Sequence, residues 1–298
     1  MSSSGEIGWD AAVWQDINAA VITEMGRVRS AQKVLPATDY ETCPTEIPND
    51  VINFADLSIP EGQTRPFVEI FQEFTLSSAQ VMNEPQIHTC RTLAQMAAKA
   101  IALAEDAVIF NGSGATLPLN VKAERIESAG SGLLGEASPA DASDSDPLKV
   151  AVPIDVLQVG GKRKGLLFGE NVFTAVADGI AKLTAKAQAP KFALFLPVKV
   201  FADTFVAPSE ASLVTTAERI KPLVEGGFQE CVSLPQDRGL LVALAGDPTR
   251  LYVGREATTE YVRKEGSKYF FRVVERIQFV ARDPRAFVLL KFKFDQVY

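Results

Sequence analysis

The sequence has few of the side chains from which metal and disulfide sites are built. Its 298 residues include one histidine, His88, and three widely separated cysteines, Cys43, Cys90 and Cys231. A single histidine excludes histidine-rich zinc sites, and Pro85, three residues before it, excludes a Glu-x-x-His di-iron motif. Cysteines that are odd in number and scattered indicate buried thiols. We therefore expect no metal ion and no cofactor.

An excess of positive charge is also absent. The formal net charge is -7, so the chain lacks the basic surface that nucleic acids require, and the basic run at 162–164 is interpreted as a solvated turn. There is no basic leader at the N-terminus and no apolar run near the roughly 18 residues of a membrane span. We expect a folded cytoplasmic protein that binds neither nucleic acid nor membranes.

Catalytic and nucleotide-binding motifs are missing as well. GSGLLG (130–135) has the Gly-x-Gly-x-x-Gly spacing of dinucleotide-binding loops, but no buried strand precedes it and no helix follows it. As a catalytic base, His88 would require a nucleophile and an orienting acid, which the sequence does not place. The carboxylates, Glu105 and Asp106 among them, are interpreted as solvated helix faces. We expect no catalytic residues and an interface as the functional surface.

The first part of the chain predicts one amphipathic helix followed by an extended arm. Apolar residues recur at helical spacing over residues 9–30. Residues 34–50 contain three prolines and indicate an extended segment. The run at 67–76 predicts one half of a strand pair that opens near residues 60–62. Such an arm buries its backbone against neighbouring subunits, so we expect a homo-oligomer.

The longest predicted helix covers residues 86–110 and has an apolar end. AEDAVIFNG (104–112) continues the apolar stripe to Phe110 and closes on Asn111 and Gly112, residues that tolerate left-handed backbone. An end this apolar must be buried. The residues that follow, 112–147, are rich in Gly, Ser and Asp and predict a segment with too few apolar side chains to pack as a unit.

The remaining chain predicts an α/β region and then β-structure. Helical patterns cover 171–186 and 217–224, and strand patterns cover 192–197, 239–246 and 250–255. One face of the C-terminal alternating run comprises Tyr269, Phe271, Val273, Ile277 and Phe279. Turns are predicted at 264–267 and 282–285, and the last strand follows the second of them.

Five stretches, in this order, resemble the encapsulins, bacterial shell proteins with the capsid fold of tailed phages (HK97-type). They are VWQDIN (13–18), FVEIFQEFTLSSAQV (67–81), AEDAVIFNG (104–112), SGLLGE (131–136) and YVRKEGSKYFFRVVERIQFVARDPRAFVLLKF (261–292). The resemblance is to the linocin-like encapsulins of family 1 and covers most of the chain. The IFNG and VLLKF ends are its most specific parts.

This resemblance implies an α+β fold with a peripheral and an axial domain. The implied divisions are an N-terminal helix region (1–33), an arm with an extended loop (34–84), a spine helix with an acidic crossing (85–149), an axial domain (150–256) and the C-terminal strands of the peripheral domain with a tail (257–298). It further implies that the apolar end of the spine helix is buried against the C-terminal strands.

The resemblance also implies a shell protein that is not an enzyme. Such a subunit self-assembles into an icosahedral nanocompartment in the cytoplasm, and a cargo enzyme binds inside through a terminal targeting peptide. The implied cargo-binding residues are Trp9, Val13, Trp14, Ile17 and Val21, with Trp14 at the edge of a groove. The implied pore-lining residues are Ser209, Glu210, Ala211 and Ser212.

Alternative interpretations stay open at this point. A major capsid protein of a phage or prophage shares the fold, although it would have a longer N-terminal scaffolding segment and an interior suited to DNA. A cytosolic α/β enzyme would need a site that the motifs do not show. For the N-terminal helix, the alternative is that its whole apolar face packs on the subunit.

Overall fold

The computed structural model describes residues 7–40, 42, 44–54, 56–137, 155–160, 168–207 and 214–294. The helices in these ranges are α1 (Ala11–Val28), α2 (Ser78–Met82), α3 (Glu84–Ile87), α4 (Thr89–Asn111), α5 (Gly132–Glu136), α6 (Asn171–Ala185), α7 (Val198–Asp203) and α8 (Thr216–Ile220). The strands are β1 (Ala37–Asp39), β2 (Glu46–Pro48), β3 (Thr64–Pro66), β4 (Val68–Ser77), β5 (Val121–Glu124), β6 (Asp155–Val159), β7 (Phe192–Pro197), β8 (Gly227–Cys231), β9 (Arg238–Ala243), β10 (Thr249–Glu265), β11 (Lys268–Ala281) and β12 (Phe287–Phe292). The predicted α+β class is confirmed.

The first sheet has the strand order β1-β10-β11-β4-β5 and contains the long antiparallel hairpin β10/β11. β1 runs parallel to β10, and the other pairs are antiparallel. Phe271, Val273 and Ile277 of β11 are buried in one core with the apolar faces of α1 and α4. The alternation that predicts this strand is therefore confirmed, because every second side chain meets the two helices.

The second sheet is mixed and has the order β6-β12-β9-β7-β8. All six residues of β7 are buried, since alternate side chains pack on α6 and on the core around the end of α4. Gly179 of α6 lies close to β9, because a Cβ added there would lie 2.7 Å from Cδ2 of Leu241. The predicted strand at 192–197 is confirmed.

The last strand, β12, belongs to a different sheet from β10 and β11. β12 lies between β6 and β9 of the second sheet, which divides the expected peripheral unit 257–298. The boundary expected after residue 256 also falls inside β10, which belongs to the first sheet. The 3-10 turn Pro284–Ala286 redirects the chain between the sheets. Five of the six residues of β12 are buried, which requires a central strand covered on both faces.

The apolar end of α4 is buried where the two sheets meet. Val108, Ile109 and Phe110 are fully covered, and the Phe110 ring packs edge-on against Phe195 of β7 with centroids 5.0 Å apart. The amide of Asn111 donates to the carbonyl of Ser233 at 2.9 Å. The predicted burial is thus confirmed, but the second sheet covers this end together with the C-terminal strands.

Residues 112–137 are ordered, contrary to the expectation of a segment that cannot pack. They form β5, the 3-10 helices Gly112–Gly114 and Ile126–Ala129, and α5, whose Leu133 and Leu134 are buried. Their few apolar side chains suffice because they pack on α4 and β4. The rest of the expected acidic crossing, 138–147, lies outside the described residues.

In GSGLLG, Gly132 allows close packing of the backbone. Gly132 lies against the backbone of the α4 terminus, since a Cβ on it would lie 2.5 Å from the carbonyl oxygen of Phe110 and nearer still to the nitrogen of Gly112. Across the part of the chain that the structure describes, no helix has the length and apolar character needed to cross a membrane.

Candidate functional site

The extended arm has a fixed root on the first sheet. Ile47 of β2 is buried in a small separate core with Phe67, Tyr252 and Val280. The guanidinium of Arg282 donates to a carboxylate oxygen of Asp50 at 2.8 Å and to one of Asp247 at 2.9 Å. β2 pairs antiparallel with β3, whereas the run at 67–76, predicted as one half of the strand pair, forms β4 and pairs with β11 and β5 of the first sheet. The root therefore positions the loop between β2 and β3 on a rigid base.

The tip of this loop presents apolar side chains to solvent. Leu57 is 80% exposed and Ile59 is 49% exposed. A local turn holds them, because the Asp56 carboxylate accepts from the backbone N–H and the hydroxyl of Ser58 at 3.1 and 2.7 Å. The backbone N–H of Asn53 donates to the carbonyl of Ser58 at 2.8 Å. An ordered turn with exposed Leu and Ile is a surface that gains free energy when a partner covers it.

The N-terminal helix is docked on the subunit by part of its apolar face. Asp10 caps it by accepting from the backbone N–H of Val13 at 2.9 Å. Ile17 and Val21 are fully buried against the core that contains α4. Neither side chain can contact a cargo peptide while α1 stays docked, so the packing alternative holds for these two of the five residues.

The other three residues, Trp9, Val13 and Trp14, are half-buried at the start of α1. The Trp9 ring stacks on Phe271 at 5.4 Å and 12°, and its Nε1 donates to the carbonyl of Val81 at 2.8 Å. Trp14 lies 5.1 Å from the Trp9 ring and 6.3 Å from that of Phe271. Trp14 therefore belongs to the same aromatic cluster as Trp9 and does not stand apart from it.

One polar atom of this cluster has no partner. Nε1 of Trp14 is buried, and no acceptor for it exists among the described residues. A buried N–H without an acceptor costs about 1–3 kcal/mol. The sequence shows the two tryptophans but not this difference between them.

The expected pore residues, Ser209, Glu210, Ala211 and Ser212, lie outside the described residues. The described chain before this gap ends with the exposed side chains of Phe205 and Val206, and Val214 is exposed after it. The gap connects α7 to α8, where the resemblance implies the pore loop.

Glu105 and Asp106 are buried, contrary to their interpretation as solvated residues. The Asp106 carboxylate accepts from the backbone N–H groups of Ser30 and Ala31 at 2.7 and 2.9 Å. Burial raises the pKa of Asp106 to about 6, because these hydrogen bonds offset the loss of hydration only in part. Asp106 thus attaches the segment after α1 to α4.

Glu105 faces a cation that the sequence does not reveal. Nη1 of Arg29 lies 3.6 Å from a carboxylate oxygen of Glu105 and 3.6 Å from one of Glu275 in β11. Nη2 donates to Glu256 of β10 at 2.8 Å. The one sequence signal is Glu275, a charged residue inside the apolar run VVERIQFV. We call Arg29, Glu105, Glu256 and Glu275 the Arg29 cluster.

The histidine and the cysteines do not form a common site among the described residues. His88 joins α3 to α4 at φ 54°, is half exposed, and has Nδ1 3.9 Å from a carboxylate oxygen of Asp16. Cys90 and Cys231 are buried thiols, as predicted, and Cys43 lies outside the described residues. Among the residues that the structure describes, no group of three or more His, Cys, Asp or Glu side chains could hold a metal ion.

An extended arm, a long helix across a hairpin-containing sheet and a second mixed sheet define a capsid-type fold. The chain matches the virus-like particle from Pyrococcus furiosus with a TM-score of 0.65 and 16% identity, over 93% of this chain and 99% of that one. It matches the capsid of Myoviridae phage XM1 with a TM-score of 0.56 and 12% identity, over 89% and 92% of the two chains. These likenesses confirm the predicted capsid fold.

The chain also matches a protein family by sequence. Residues 160–278 match the Linocin_M18 family, described as "Encapsulating protein for peroxidase". This match confirms the resemblance to encapsulins that the sequence motifs indicate. A comparison with curated proteins by sequence gives no match.

Proposed function

We propose that this protein is the subunit of a closed icosahedral shell that encloses a cargo protein, and that it acts as a structural component and not as an enzyme. The observation that carries the proposal is the arm, with a root fixed on the first sheet and a tip that holds Leu57 and Ile59 in solvent. The family match over residues 160–278 supports the same function.

Assembly follows from the energetics of this arm. Burying each large aliphatic side chain is worth about 1.5–3 kcal/mol, and a closed shell repeats the contact at every copy of a symmetric interface. The turn at residues 56–58 lowers the entropy cost of docking, because the hydrogen bonds between Asp56 and Ser58 hold it before it meets a neighbour.

Making the arm tip polar is expected to block assembly without unfolding the subunit. In the double variant Leu57→Asn with Ile59→Thr, two exposed apolar side chains are replaced by polar ones of similar size. Asn also suits the left-handed backbone of residue 57, where φ is 54°. Electron microscopy and light scattering should show hollow particles for the wild type and small oligomers for the variant.

The matched control is Leu57→Met with Ile59→Val, which keeps an apolar tip and should still form particles. Particles of normal yield from the polar variant would refute the role of the arm. A wild-type protein that is a stable monomer or dimer at micromolar concentration would refute the shell itself.

A phage-type capsid is the second candidate, because the phage XM1 capsid shares the fold. The two functions differ in what the particle contains. A net charge of -7 disfavours an interior that binds DNA, so we expect purified particles to hold protein cargo and no nuclease-resistant nucleic acid. Packaged DNA recovered after nuclease treatment would favour the phage-type function.

We place cargo binding at the half-buried start of α1. Trp9, Val13 and Trp14 retain exposed area, whereas Ile17 and Val21 anchor the helix. The exposed part of the Trp14 ring offers apolar area to a bound peptide. The pore for small ions is placed at residues 209–212, between α7 and α8, where Glu210 would weakly favour cations.

Trp14→Phe is expected to reduce the cargo that purifies with the shell several-fold. Phenylalanine keeps a ring against Trp9 and Phe271 but removes part of the exposed apolar surface. Cargo is measured by mass spectrometry of protein released from opened particles, per shell subunit. The control is Ile22→Ser on the exposed side of α1, which should retain wild-type cargo. If both variants carried the same amount of cargo, the cargo would have to bind elsewhere than at α1.

A further inference from the structure

The charges of the Arg29 cluster do not balance. Arg29 is the one cation against three carboxylates, Glu105 of α4, Glu256 of β10 and Glu275 of β11. Glu256 is partly exposed, but Glu105 and Glu275 are fully buried. None of the four carboxylate oxygens of these two residues accepts a hydrogen bond from the described residues. At 3.6 Å, the contacts with Arg29 are too long to be hydrogen bonds.

The neighbouring charged groups do not supply the missing compensation. Asp106, next to Glu105 on α4, adds a further negative charge and is held by backbone N–H groups. Lys33 lies close enough to Asp106 to influence it, but its ammonium donates to the carbonyl of Arg27. The buried site therefore contains more carboxylates than cations.

Two buried carboxylates that face one guanidinium are not both ionised at low cost. An ionised carboxylate without a partner is very unfavourable away from water, and two carboxyls that share a site titrate as a pair with one pKa strongly raised. Burial raises the pKa of Glu275 to about 8, and Arg29 lowers it again only in part. Burial, and then the charge of Glu275, raises the pKa of Glu105 well above its ordinary value.

We propose that the Arg29 cluster is a proton-dependent latch on α1: a proton shared by Glu105 and Glu275 closes it, and release of that proton to solvent weakens the attachment of α1 to α4 and to the first sheet. Arg29 directly follows α1, so the latch acts on the end of that helix. The same segment reaches β8 of the second sheet, where the Ser30 hydroxyl donates to the Glu230 carbonyl at 2.8 Å. Opening the latch would therefore loosen α1 from both sheets.

The direction of the pH effect follows from the raised pKa. The folded protein keeps the proton up to a pH of about 8, whereas the unfolded chain loses it near the ordinary value of 4.5. Between these values the folded state binds more protons than the unfolded state, so the free energy of unfolding falls as the pH rises. The stabilisation that the bound proton gives to the folded state is complete below a pH of about 4.5 and is lost above a pH of about 8.

The two tryptophans of the chain make this latch measurable. Both Trp9 and Trp14 lie at the start of α1, so a red shift of tryptophan emission reports the undocking of that helix. The urea concentration at the midpoint of this shift should fall for the wild type as the pH is raised from about 5 to about 8. In Glu275→Gln, and in Glu105→Gln, the fall should be at least halved, because an amide keeps the shape but does not titrate.

The control variant is Glu127→Gln, an exposed position with the same change of charge, which should keep the full wild-type pH dependence. Glutamine variants that lose as much stability with pH as the wild type would overturn the latch. The wild-type protein gives a second test by infrared spectroscopy, with a protonated carboxyl band expected at neutral pH and absent in alkali. A wild-type spectrum without that band at neutral pH would overturn it as well.

Discussion

Gly112→Ala is expected to lower the free energy of unfolding by about 2–6 kcal/mol, the sum of backbone strain and overpacking. Gly112 ends α4 with φ 61° and ψ -139°, a conformation essentially reserved for glycine. A Cβ there would lie 2.6 Å from the carbonyl carbon of Ser131 and nearer still to backbone atoms of Gly130 and Gly132. Backbone atoms cannot rotate away as a side chain can, so α5 would have to leave α4.

Gly130→Ala is a closely matched control. Gly130 has φ 60° and ψ -137°, almost the angles of Gly112, but a Cβ on it meets nothing within 4 Å. It should therefore cost only the backbone strain, about 1–3 kcal/mol. Urea unfolding and the soluble yield of both variants measure the difference. Equal losses for the two variants would show that the contact between Gly112 and residues 130–132 adds nothing.

Regular periodicity predicts the elements that bury one continuous face. α1, α4 and β11 follow from apolar residues at helical or alternating spacing, because each lies with one face on a core. The residues of β12 are just as apolar, but an apolar strand fits any central position. The turn Pro284–Ala286 and the pairing with β6 and β9 decide its sheet, and neither partner is encoded near it in the sequence.

Charged side chains are the main features that the sequence does not place. From the sequence, Glu105 and Asp106 are interpreted as part of a solvated helix face, yet their partners, Arg29 and the backbone of Ser30, lie more than seventy residues earlier. The local sequence pattern around an acidic residue does not show whether a cation or an N–H donor far away in the sequence pairs with it. A usable signal is that AEDAVIF has apolar residues on every side of its two acids, so no helix face remains for solvent.

The candidate binding surface shows the same limit. Periodicity puts Ile17, Val21 and Trp14 on or near one apolar stripe of α1, but it does not state which side chains the subunit covers. In the structure Ile17 and Val21 are buried in the core, and the Trp14 ring packs beside the Trp9 ring. The sequence predicts a strand pair in the arm but assigns one half of it to 67–76, which joins the first sheet as β4. The exposed turn that holds Leu57 depends on the hydrogen bonds of Asp56.

Arg29→Met is expected to lower the free energy of unfolding by about 3–5 kcal/mol near neutral pH, the cost of leaving a buried charge without its partner. Methionine keeps much of the apolar length of the arginine and removes the cation that faces Glu105 and Glu275. Both carboxyls must then hold protons in the folded state, which becomes more costly as the pH rises. Urea unfolding should therefore show a larger loss at pH about 8 than at pH about 5.

Two further variants separate charge from packing in this prediction. Arg27→Met removes a mostly exposed arginine that pairs with Glu24 at 3.1 Å, so it should cost less than about 1 kcal/mol. A triple variant with methionine at positions 29, 105 and 275 removes every fully buried charge of the Arg29 cluster. It should recover most of the stability, because apolar side chains of similar volume replace buried ion pairs at little cost. It should also lose the part of the pH dependence that comes from Glu105 and Glu275, while Asp106 still titrates. If the triple variant were as unstable as Arg29→Met, the loss would come from packing around Arg29 and not from unpaired charge.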